Sequence, residues 1–147
     1  MIKGVSHIAI AVRSLDETIP FYRDVLGLPF EGTEVVPEQK VKVAFFLAGQ
    51  TRIELLEATT EDSPISKFVA ERGGGIHHLA LQTDDVAAEI TSMQERQIRM
   101  IDAAPRGGAH HTQIAFMHPK AAHGVLLELT QESQQEAGRP APPNLQP

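Results

Sequence analysis

The sequence predicts an α+β fold of two tandem βαβββ modules whose strands join in a curved mixed sheet, and three observations carry that prediction. The first is a repeat: Ser6-His7-Ile8-Ala9-Ile10 recurs as His77-His78-Leu79-Ala80-Leu81, so that a histidine followed by aliphatic, Ala, aliphatic appears twice, 71 positions apart. The second is that the segment after each copy repeats as well: Ser14 maps to Asp85, Ile19 to Ile90 and Tyr22 to Met93, a capping residue ahead of apolar side chains at helical spacing. The third is the closing strand of each half, Arg52-Ile53-Glu54-Leu55-Leu56 and Leu126-Leu127-Glu128-Leu129-Thr130, each with one carboxylate among aliphatic residues. His7 to Glu54 spans 47 positions and His78 to Glu128 spans 50, so the second half carries a three-residue insertion.

Taken in order, the opening strand leads into a helix with Ser14 and Glu17 as a capping box and Gly27 as a stop. Pro20 lies past the first turn, removes a backbone donor and is expected to bend or distort that helix. Strands follow at Val41 to Ala48 and Thr51 to Ala58, with Gly49-Gln50 as a tight hairpin, and in the second half at Thr112 to Met117 and Val125 to Thr130. Between the halves, Ser63-Pro64 marks a helix start and Gly73-Gly74-Gly75 a stop. The expected organisation is one domain over 1–131, with module one at 1–58, a connecting helix within 59–75 and module two at 76–131. The proline-rich, apolar-poor 132–147 reads as a disordered tail.

Composition narrows the function classes. A chain of 147 residues with 41% hydrophobic and 22% charged residues buries one real core. Its net charge of -6 argues against nucleic acid or an anionic membrane as the main partner. The longest apolar runs, such as Val43 to Ala48, fall far below the roughly 18 to 20 residues that cross a bilayer. Met1 to His7 enters a strand pattern at once, without a leader, and the expected location is the cytoplasm. With no cysteine, any metal must be held through nitrogen and oxygen.

A glutamate inside an apolar strand is costly to bury without a partner. Taken singly, His7 is more readily a hydrogen-bonded core histidine than a ligand, and Glu54 or Glu128 could pair with an arginine such as Arg52. Four such residues recurring in register reverse that preference. If each half curls so that its first and last strands are neighbours, His7, Glu54, His78 and Glu128 face one metal-binding cavity, a donor set suited to cobalt, nickel, manganese, zinc or ferrous iron. His77 is set aside because side chains alternate along a strand, and the repeat aligns His78 with His7. His110, His111, His118 and His123 are expected in solvated loops, and Glu38 in a surface turn.

With these residues the chain resembles the vicinal oxygen chelate superfamily, which pairs βαβββ modules around a metal, and within it the methylmalonyl-CoA epimerase family. The resemblance runs from Val5 to Gln131 and is carried by Ser6 to Val12, Phe21-Tyr22-Arg23-Asp24, Glu61-Asp62-Ser63-Pro64-Ile65, Gly75 to Ala80, and Met117-His118-Pro119-Lys120 leading into Gly124 to Leu129. It implies interconversion of (R)- and (S)-methylmalonyl-CoA, an acyl-CoA substrate, and one divalent ion (Co, Ni, Mn or Zn) on His7, Glu54, His78 and Glu128. Some members have glutamine in place of Glu54. Some also have a glutamate, proposed as a base, in place of Val43, a role valine cannot take. Because the repeat places Glu54 and Glu128 in pseudo-symmetric strands, they are the expected acid/base pair, with Glu38 or a loop histidine as a substitute for one of them. Lys120 and Arg106 are candidates for the CoA phosphates, and a homodimer is expected. The same donor set would serve a glyoxalase I-type lactoylglutathione lyase. An extradiol dioxygenase needs only one carboxylate, and a drug-binding protein on this scaffold needs no ligands.

Overall fold

The computed structural model describes residues 1–133. The expected tail lies, from 134 onward, outside the described residues. The chain divides into two compact units, His7–Leu79 and Met1–Ser6 together with the chain from Ala80 on. Among the described residues eight strands form a mixed sheet in the order β2-β3-β4-β1-β5-β8-β7-β6: β1 Ile2–Ala11, β2 Phe30–Val36, β3 Val41–Ala48, β4 Thr51–Ala58, β5 Gly75–Thr83, β6 Arg106–Gly107, β7 Gln113–Met117 and β8 Leu127–Gln131. In each group of four, the first strand neighbours the last, which neighbours the third, which neighbours the second, as the repeat requires. No helix among these residues is long and apolar enough to cross a membrane.

In the unit His7–Leu79, β1 runs parallel to β4 with Ala9 opposite Glu54, and β3 is antiparallel to β4 with Phe46 opposite Ile53 and Ala44 opposite Leu55. Alternation then separates two faces. Ala44, Phe46 and Leu55, with Ile10, Ile53 and Phe30, pack beneath Leu15, Ile19 and Tyr22 of the helical segment. Glu54, between Ile53 and Leu55, is turned to the other face.

Helix α1 (Leu15–Pro20) begins as expected, the Ser14 hydroxyl accepting from the Glu17 N–H at 3.2 Å. The distortion expected at Pro20 takes a specific form, a π-helical turn over Phe21–Val25 in which the Leu26 N–H reaches back five residues to the Phe21 carbonyl at 3.0 Å. Proline has no N–H to give to the carbonyl four residues earlier and its ring crowds that oxygen, so the helix widens past it. The segment ends at Gly27, whose φ of 72° suits glycine.

Helix α2 (Pro64–Arg72) is capped by Ser63, whose hydroxyl accepts from the Ile65 N–H at 3.2 Å, and ends at Gly73 in the left-handed region. Asp62, just ahead of that cap, pairs with Lys40 and accepts from the Thr60 hydroxyl at 2.6 Å. Those two contacts, Lys40 first, hold the Asp62 carboxyl below the usual carboxylate range. The Glu61-to-Ile65 segment therefore builds a helix start.

In the other unit, α3 (Val86–Glu95) is capped by Asp85, which accepts from the Ala88 N–H at 3.0 Å. Its Val86 and Ile90 pack on Ala115 and Leu129, which face each other across β7 and β8, with Leu81 and Met100 alongside. Glu128 alternates with Leu129 and stands opposite Phe116.

The sequence pattern did not locate β2 or β6. In β2 the alternation is interrupted by a register shift between Phe30 and Gly32, and β6 is a two-residue strand of Arg106 and Gly107 with no apolar pattern to mark it.

Candidate metal centre

His7 on β1, Glu54 on β4, His78 on β5 and Glu128 on β8 are each no more than 8% exposed, although each carries a polar side chain. Two other buried polar residues have local explanations: Ser63 caps α2, and the Thr83 hydroxyl donates to Glu89 at 3.0 Å. One ligand atom each from His7, His78 and Glu128 lies within 4.8 Å of the other two. The two imidazole rings meet edge to face, with centroids 5.6 Å apart.

Glu54 stands outside that group of three. Its Oε2 lies 3.1 Å from His7 Nδ1, the separation of a ring N–H donated to a carboxylate. Arg52, the structural alternative as its partner, instead donates from Nε to Glu31 Oε1 at 3.0 Å.

The donor set fits a divalent ion. Two neutral imidazoles and a carboxylate suit borderline metals, and ligand atoms around an ion at about 2.0–2.2 Å lie no more than about 4.4 Å apart, so the observed spacing needs little closure. The burial that would penalise bare charges also keeps water from crowding an ion held there.

The remaining sequence candidates lie elsewhere. His77 is not one of the three clustered residues, yet its ring does not diverge from that of its neighbour: His77 Nδ1 is 2.9 Å from His78 Nδ1. Glu38 sits exposed in the 3-10 turn Pro37–Gln39. His111 and His123 are exposed, and His110 and His118 are half-buried. The His118 Nδ1 accepts from the Lys120 N–H at 3.1 Å, so the His-Pro-Lys segment closes its own turn. Arg106 pairs with Asp102 at 3.2 Å and lies over the Phe116 ring. Two contacts were not foreseen from the sequence, His77 with His78 and Arg52 with Glu31. The first is hidden by the simple alternation rule, and the second bridges two strands across the bulge in β2.

A mixed sheet with a buried His-His-Glu group that could hold a metal is the arrangement of the vicinal oxygen chelate fold. The comparisons agree. Residues 6–116 match the model of the Glyoxalase/Bleomycin resistance protein/Dioxygenase superfamily, and the chain belongs to that superfamily. It is 42% identical over 125 residues to the Uncharacterized protein YqjC of Bacillus subtilis, covering 85% of this chain and 89% of that one. It is 38% identical over 128 residues to the mitochondrial methylmalonyl-CoA epimerase of Mus musculus, covering 86% and 72%. A solved methylmalonyl-CoA epimerase in complex with methylmalonyl-CoA and NH4+ superposes with a TM-score of 0.86 at 36% identity, covering 91% of this chain and 97% of that one. Within its superfamily the chain is thus closely related to the methylmalonyl-CoA epimerases.

Proposed function

We propose that the protein is a methylmalonyl-CoA epimerase, acting on the α-carbon between a thioester and a carboxylate. The observation that carries this reading is the approach of His7, His78 and Glu128 within 4.8 Å, in a chain whose relatives at 36–38% identity bear that name. His7, His78 and Glu128 would hold the ion, with Glu54 as a fourth donor beside His7. The chemistry a divalent ion supplies there is stabilisation of the negative charge that develops on the thioester oxygen when the α-proton leaves.

The chain's own residues do the rest. Epimerisation needs a group that takes the proton from one face and a group that returns one to the other. Glu54 and Glu128 are the carboxylates of the site, one from each copy of the repeat, and in this reading they form the acid/base pair. The His7 contact at 3.1 Å orients Glu54. The burial of both carboxyl groups, at 8% and 3% exposure, excludes bulk water from competing for the proton.

The test is exchange of the α-proton in deuterated water with stereochemically pure methylmalonyl-CoA, before and after chelation. Deuterium incorporation that tracks loss of optical purity and is abolished by chelation is expected. Glu128→Gln should reduce exchange from at least one face by 100-fold or more, as ~10²–10⁴ is typical for a lost general acid or base. Substrate that stays proton-bearing and optically pure after prolonged incubation with added Co2+, Ni2+, Mn2+ or Zn2+ would overturn the proposal. Turnover of methylglyoxal with glutathione would replace it.

A further inference from the structure

His78 has a neighbour that the proposed reaction leaves without a role. The His77 Nδ1 lies 2.9 Å from the His78 Nδ1, with the two rings inclined at 80°. Two ring nitrogens at that distance share one hydrogen: one nitrogen donates and the other accepts with its lone pair.

The direction of that bond decides whether His78 can bind a metal. If His77 donates, the His78 Nδ1 lone pair is occupied and a neutral His78 carries its proton on Nε2, so neither nitrogen is available to an ion. If His78 donates, its Nε2 lone pair is presented to the ion, and His77 keeps its own proton on Nε2. Only the second arrangement is compatible with His78 as a ligand. We propose that His77 is a positioning residue of the metal centre, which accepts the Nδ1–H of His78 and so fixes the tautomer and ring orientation that present Nε2 of His78 to the ion. This rests on the reading of His78 as a ligand. On the other histidine, Glu54 makes the corresponding contact to His7 Nδ1, so both imidazoles are supported in the way metal-bound histidines usually are.

His77 is itself held. Its ring meets Phe68 edge to face at 5.1 Å and 80°, and Phe68 carries the Arg72 guanidinium over its face at 5.1 Å. Both belong to α2, whose ends are fixed by the Ser63 cap and the left-handed Gly73. Immediately after it, Gly74 passes so close to the Ala11 carbonyl that a Cβ there would lie 2.9 Å from the oxygen. The connecting helix thereby acquires a part in the site: it braces the residue that braces the ligand.

The test is the affinity for Co2+, measured by calorimetry and by the visible absorption of the bound ion, in wild type, His77→Phe, His77→Asn and His78→Ala. Phenylalanine keeps the ring against Phe68 and loses the acceptor, and should weaken Co2+ binding about 10–100-fold with an altered visible spectrum. The Asn Oδ1 stands at the same branch as the histidine Nδ1 and accepts, so His77→Asn should recover most of that loss. Wild-type affinity in His77→Phe, or an equal loss in His77→Asn, overturns the positioning role. If both variants fail to fold, 15N shifts of the zinc-loaded wild type decide: His78 protonated on Nδ1 supports the proposal, and a bare Nδ1 overturns it. Unchanged affinity in His78→Ala would show that the metal-site reading itself is wrong, and the positioning role would fall with it.

Discussion

The two copies of the repeat keep the same strand order and differ in what they pack beneath it. The first copy builds its core from aromatic rings: Phe30 and Tyr22 lie 5.1 and 5.7 Å from Phe46, centroid to centroid, and the covering segment is a short helix widened into a π-turn. The second packs Val86 and Ile90 of a regular ten-residue helix on Ala115 and Leu129. The histidines diverge in the same manner, His7 supported by a carboxylate and His78 by a second imidazole. Duplication thus preserves backbone order and the placement of the buried His and Glu residues, while core volume and the partner that each histidine meets drift, because many solutions satisfy them.

The largest expected effect tests the difference between the cores. Phe46 is fully buried at the centre of the ring cluster, and Phe46→Ala should cost about 3–5 kcal/mol of unfolding free energy in urea, against about 0.5–1.5 kcal/mol for Ile90→Val in the second core. Equal losses would mean that the aromatic cluster adds nothing over an aliphatic one. A somewhat smaller effect separates the helices. The repeat aligns Pro20 with Thr91 in the middle of α3, where the Thr91 hydroxyl donates to the Ala87 carbonyl at 3.2 Å. Thr91→Pro should cost about 3 kcal/mol, the usual penalty for proline inside a helix. A loss below about 1 kcal/mol would show that α3 can widen as α1 does, and that the π-turn is a freedom of the fold and not a property of the first copy.

How much of this was legible in the sequence depends on periodicity. The strands Val41–Ala48 and Thr51–Ala58 and the caps Ser14, Ser63 and Asp85 were readable because apolar alternation and capping chemistry are local. β6 was not readable, since a two-residue strand carries no period. At the site, the repeat singled out His7, Glu54, His78 and Glu128, all of which are buried. It could not show that Glu54 contacts the Nδ1 of His7 while the other three cluster, because pseudo-symmetry assigns both glutamates one role and only side-chain geometry separates them. The His77 contact was hidden for a related reason: strict alternation ignores the twist that lets adjacent rings meet.

The smallest expected effect concerns the connection between the last two strands, where the copies differ most. β3 and β4 are joined by the tight Gly49-Gln50 turn, whereas β7 and β8 are joined through the turn that holds His118, Lys120 and His123. Here His118 is partly withdrawn from water, with Arg99 and Lys120 nearby, and the three effects, desolvation first, hold its pKa below the ordinary histidine value. A neutral His118 is therefore favoured in the folded state. In the unfolded chain the ring binds a proton at higher pH, so folding stability from this group is complete above the ordinary value. It is lost as pH falls from there toward the lowered native value. Side-chain 15N titration should find the His118 midpoint below the ordinary histidine value, and Arg99→Gln, which removes one positive neighbour and leaves the backbone bond from His118 to residue 99 in place, should raise it. A midpoint at the ordinary histidine value, unmoved by the substitution, would reduce this longer connection to a plain solvated loop, chemically no different from the hairpin it replaces.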